Sequence, residues 1–141
     1  MGFNFAQKTA EFKKMKRTLP VVIANMAVKH YRANFRLGGF VDQSLVKWKA
    51  RSTKDKSDRS RRNRNNPRAI LVKTGHLRNS IRARVADWRK IELGAYGVPY
   101  AVFHNKGMKP NPKRQFIGRS RKLEKAIRAR INKEMTKVLN Q

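Results

Sequence analysis

Residues 19–36 leave this chain few ways to fold. Pro20 suits the first turn of a helix, where its missing N–H has no partner to lose. Asn25, Lys29, Arg32 and Arg36 then recur at i, i+4, i+7 and i+11, on one narrow polar stripe. The rest of the circumference carries Leu19, Val22, Ile23, Ala24, Met26, Ala27, Val28, Tyr31 and Phe35. A helix with so wide an apolar arc must be covered on several sides, so this one is predicted to run through the core. Gly38 and Gly39 end it. Upstream, Phe5, Thr9, Phe12 and Met15 stand near helical spacing over residues 3–15, which predicts a separate amphipathic helix. Downstream, Phe40, Val41, Leu45, Val46 and Trp48 make residues 40–51 a short irregular or helical segment.

Character changes at residue 51. Over residues 51–68 eight Lys and Arg face Asp55 and Asp58, with no aliphatic or aromatic side chain. Nothing there offsets the entropy of ordering, so a disordered-looking basic loop is expected. Arg59, Arg61, Arg62, Arg64 and Arg68 are all the residue suited to bidentate phosphate contact, which makes them candidate nucleic-acid-binding residues. A merely solvated loop remains the plain alternative.

The pattern then turns to strands. Residues 69–72 are β-prone, Thr74-Gly75 is a break, and residues 77–81 are brief helix or extended chain. Ile81, Ala83 and Val85 alternate with Arg82 and Arg84, and residues 88–93 alternate as well, so a hairpin turning at Ala86-Asp87 is expected. Residues 98–107 read Val-Pro-Tyr-Ala-Val-Phe-His-Asn-Lys-Gly. Pro99 opens and Gly107 closes a short helix, on which Tyr100, Phe103, His104 and Gly107 share a face. Pro110 and Pro112 keep the following segment irregular. Ser120 is placed to cap a last helix, in which Leu123, Ile127, Ile131, Met135 and Val138 form an apolar stripe. Burying such side chains is worth about 1.5–3 kcal/mol each, enough to dock the helix on the sheet. Lys122, Lys125, Arg128, Lys133 and Lys137 occupy the opposite face.

These elements predict an α+β fold: a small antiparallel sheet packed by a long helix of the N-terminal half and a C-terminal helix. At 141 residues the chain fits one domain. Within 1–141, a helical N-terminal part covers 1–50, the basic variable loop 51–68, and the sheet with the C-terminal helix 69–141. With no cysteine and three scattered histidines, neither a disulfide nor a metal site is expected.

Three segments in order carry a resemblance. They are residues 70–81 with Thr74, Gly75, Leu77, Ser80 and Ile81; residues 98–107 with Pro99, Tyr100, Ala101, His104 and Gly107; and residues 112–120 with Pro112, Arg114 and Phe116. Their order and spacing resemble the phage virion morphogenesis family, which includes Mu-like tail completion proteins and is similar to phage neck and tail-terminator proteins. Gly39, Asp42, Leu45 and Trp48 extend the likeness toward residue 35. Lys113, Gln115 and Met108 depart from the family pattern. The resemblance implies an α+β structural subunit of a ring at the head–tail junction. It makes Thr74, Gly75, Leu77, Ser80, Pro99, Tyr100, His104, Gly107, Arg114 and Phe116 fold or interface residues, with Tyr100 and His104 either locking the fold or meeting another subunit.

Charge supplies the functional half of the expectation. Thirty-six Lys and Arg against eight Asp and Glu give +28, so a polyanion is the expected partner. A channel that lets duplex DNA pass needs phosphate contacts without sequence readout. The expected partners are copies of the chain in a ring, with a hexamer favoured, other phage neck, connector and tail proteins, and packaged double-stranded DNA. The expected location is the virion head–tail junction, reached from the host cytoplasm. The alternative is a free-standing, sequence-independent nucleic-acid-binding protein, although no helix-turn-helix, zinc-knuckle or RNP-like pattern is present. No catalytic constellation or phosphate-cradling glycine loop is present, so neither an enzyme nor a cofactor is expected. No membrane partner is expected, because the apolar run at residues 19–28 is too short to span a bilayer and no leader pattern opens the chain.

Overall fold

A computed structural model describes residues 4–51 and 69–140. Its first element, α1, runs unbroken through Phe5–Leu37. The two helices expected at 3–15 and 19–36 are therefore one, about 50 Å long at 1.5 Å per residue. Pro20 lies inside it, although an interior proline forfeits a helix hydrogen bond. Continuity survives because one buried stripe crosses the proline: Met15, Leu19, Pro20, Ala24, Ala27, Asn34 and Phe35. Asn4 caps the start by accepting from the Gln7 N–H at 3.1 Å, and Gly38 ends the helix in the left-handed region at φ 65°.

Residues 40–47 are a strand hairpin and not helical, and only residues 48–51 are irregular. β1 (Gly39–Val41) and β2 (Leu45–Lys47) form an antiparallel hairpin with Phe40 opposite Val46. Its turn holds the far end of the chain. The Asp42 carboxylate accepts the Arg121 N–H at 2.8 Å and meets the Arg121 guanidinium at 3.0 Å. Those bonds, the backbone N–H first, hold the Asp42 carboxyl below its ordinary value. Ser120 caps α4 (Arg121–Asn140) as expected, accepting the Leu123 N–H at 3.2 Å while its hydroxyl donates to the Val41 carbonyl at 2.7 Å.

A second hairpin joins β3 (Ile81–Ala86) and β4 (Ile91–Ala95), with a bulge between Ala83 and Val85. The expected small sheet is thus two separate two-stranded sheets. The hairpin turn begins at the expected Asp87 and runs on to Lys90, with Ala86 still in β3: Asp87 accepts from the Arg89 and Lys90 N–H groups, both at 2.8 Å. Trp88 consequently sits in the turn and not in a strand, packing edge-on to Phe12. Residues 69–72 form a turn instead of a β run, and a one-turn helix, α2 (His76–Ser80), leads into β3. α3 spans Ala101–Lys106, with Pro99 in the turn before it.

The C-terminal helix docks on α1, antiparallel to it, and not on the sheet; Lys8 at one end donates to the Leu139 carbonyl at the other. Of its predicted stripe Leu123 is buried, while Ile127, Ile131, Met135 and Val138 are half-buried. The core lies at the opposite end of α1, where Phe35, Trp48, Leu77, Ile81, Val98, Ala101 and Phe116 cluster. The Phe35 ring sits 5.5 Å from Trp48 and 5.3 Å from Phe116.

Candidate functional site

The irregular segment after α3 shapes the site, and side chains fix its path. A loop that enters a core must find partners for its backbone groups. Asn34, fully buried on α1, donates to the Phe116 carbonyl at 3.1 Å and accepts the Val41 N–H at 3.3 Å. Asn105 on α3 accepts from the Phe116 and Ile117 N–H groups at 2.8 and 3.0 Å and donates to the Ile117 carbonyl. Trp48 donates to Gln115, and Tyr31 to Gly118. Gly107 turns the chain into this segment at φ 74°, and a Cβ there would meet Lys113 Cα at 2.7 Å. Only glycine suits both the dihedral and the close approach.

Folding this way opens a cavity of about 990 Å³ between α2, α3, residues 49–51 and residues 110–114. Thr74, Gly75, Leu77, Tyr100, His104 and Arg114, six of the family-motif residues, come together in its wall. Ser80, Pro99, Gly107 and Phe116 do not. Ser80 closes α2 by donating to the Leu77 carbonyl, Pro99 is exposed before α3, and Phe116 lies in the core. Arg59, Arg61, Arg62, Arg64 and Arg68 lie outside the described residues.

Electrostatically the wall is one-sided. Lys49, Arg51, Lys73 and Arg114 line it with His76 and His104, and among the described residues no carboxylate does. Arg114 is buried; its Nε and Nη2 donate to the Lys49 and Ala50 carbonyls at 3.1 and 3.3 Å. Burial, then the nearby Arg51 charge, lowers the affinity of Arg114 for its proton. Burial, then Arg114, holds the His104 imidazole below its ordinary value. His104 Nδ1 is buried without a hydrogen-bond partner among the described residues. Such a wall can hold an anion, since the cations that line it repel one another and are each attracted to added negative charge.

A second basic surface lies on the two long helices. Lys13, Lys14, Lys16 and Arg17 on α1 are exposed, as are Lys122, Lys125, Arg128, Lys133 and Lys137 on α4. Glu124 and Glu134 on α4 are already engaged by Arg119, and by Arg130 and Lys137. The remaining cations therefore face solvent with little local neutralisation.

Among the described residues no group of His, Cys, Asp or Glu could hold a metal ion, and no helix is long and apolar enough to cross a membrane. No family model, curated protein or solved structure matches the chain.

Proposed function

We propose that this chain is a structural subunit of a tailed-phage virion, acting at the head–tail junction as a tail completion, neck or tail-terminator protein. Copies of it close into a ring, a hexamer being favoured, and border the DNA channel with basic side chains. The observation that carries this reading is that the segments bearing the family resemblance interlock. Phe35 and Trp48, Leu77 and Ile81, Val98 and Ala101, and Phe116 supply one core between them. Trp48, Leu77, Ile81, Ala101 and Phe116, matched for their order in the chain, are thereby also neighbours in space, which supports the reading.

The α1 and α4 cations supply the channel-facing function in this reading. They hold phosphates by point charge and counterion release, which asks for no base sequence. Six copies at +28 each repel one another strongly, so ring closure needs DNA, counterions or acidic partner proteins. The test is sedimentation of the full chain in low salt, with and without duplex DNA of unrelated sequences. Assembly that depends on the polyanion and not on its sequence supports the proposal. Stable closed rings in low salt without any polyanion overturn the electrostatic half of it.

A further inference from the structure

We propose that the cavity between α2 and α3 is a receptor for a phosphomonoester carried by a nucleotide, with Lys49, Lys73 and Arg114 taking the phosphate and Tyr100 taking the base. This holds whether or not the chain sits at a head–tail junction. Lys49, Lys73 and Arg114 line the wall together with Arg51, and no described carboxylate lines it, an arrangement that an anion relieves. All six described acids are committed elsewhere: Glu11 to Gln7, Asp42 to Arg121, Asp87 to its own turn, Glu92 to Lys90, Glu124 to Arg119 and Glu134 to Arg130. No described carboxylate neutralises the cavity from within the fold.

Two unspent groups point to a ligand with directed acceptors. Carbonyl bonds use Nε and Nη2 of Arg114, which leaves Nη1 for an oxygen in the cavity. His104 Nδ1 is buried and has no hydrogen-bond partner among the described residues. A phosphomonoester carries about −1.5 to −2 charge and three acceptor oxygens, and so suits this set better than a single carboxylate. The volume argues against a bare ion, because about 300–1,000 Å³ is the range of organic ligand sites. Leu71, Val72, Pro110 and Pro112 give the remaining wall an apolar character, and the half-exposed Tyr100 ring, edge-on to His104 at 6.1 Å, offers a stacking face.

Equilibrium dialysis of the full chain against a nucleoside 5′-monophosphate, the nucleoside and inorganic phosphate tests this. Moderate salt suppresses binding to the helix surfaces. The monophosphate is expected to bind best, and K73S to weaken it about tenfold, the scale of one charge-assisted contact. A K122S/K125S double variant on α4 changes it by less than about twofold. Y100A brings the monophosphate toward inorganic phosphate. Arg114 is unsuitable as the first variant because it also holds residues 49 and 50. Short duplexes with a 5′-phosphate or a 5′-hydroxyl identify the source. A preference for the phosphorylated end that K73S removes assigns a DNA terminus, and binding of the free monophosphate alone assigns a nucleotide. Equal binding of nucleoside and monophosphate overturns the proposal. So does inorganic phosphate binding as tightly as the monophosphate, or an equal loss in K73S and the α4 double variant.

Discussion

Asn34 carries more of this fold than its place in the sequence advertises. It sits between Tyr31 and Phe35 on the arc that buries α1, and both ends of its amide are used, one on Val41 and one on Phe116. Asn34→Ala strands a buried N–H and a buried carbonyl at once. It is expected to lower unfolding free energy by about 3 kcal/mol, read as a drop in denaturant midpoint without a change in slope. Asn105 does the same work from α3. Neither residue was legible as a site, because an amide near an apolar arc has no periodicity of its own, although a polar residue inside such an arc is the signal that finds one. Gly107, Ser120 and the core role of Phe35 were legible, since a left-handed stop, a helix cap and a stripe position are all local requirements.

At the level of elements, sequence and structure part where tertiary packing decides. Pro20 reads locally as a beginning, yet Leu19, Pro20 and Ile23 share an apolar groove with Trp88, Ile91 and Ile131, and that packing carries the helix through. The three-residue strands β1 and β2 are too short to show alternation, and Asp42-Gln43-Ser44 was the only hint of their turn. The β3–β4 hairpin was legible because its apolar alternation is long enough, while its turn runs on from Asp87, which finds two N–H donors there. The amphipathic stripe of α4 was likewise legible, but not the surface it would meet. Ile131→Asp puts a carboxylate into the α1–α4 groove. The expected loss is about 2–3 kcal/mol, with amide exchange along α4 accelerating ahead of that in the Phe35 core.

Taken whole, the molecule carries a surplus of positive charge that its own acids do not balance, and acidification adds to it. His30 and His104 are both held below their ordinary value of 6.5, chiefly by burial. The unfolded chain therefore binds these protons more readily than the folded one, so stability is full above 6.5 and is lost as pH falls through the folded values. Thermal melts should show a falling midpoint from pH 8 to pH 5, and the slope should flatten in a His30→Gln, His104→Gln double variant. The +28 net charge, thirty-six Lys and Arg against eight Asp and Glu, was plain in the sequence, and the expectation of a polyanionic partner rests on it. The convergence of Thr74, Tyr100, His104 and Arg114 on one cavity was not, because it depends on how residues 107–117 double back through the core. The most direct test of the junction role is an electron cryomicroscopy image of the intact tailed particle in which this chain is located. A ring between head and tail with the α1 and α4 cations toward the lumen is the expected view. Absence of the chain from the particle, or a ring whose basic side chains meet only acidic protein, would contradict it.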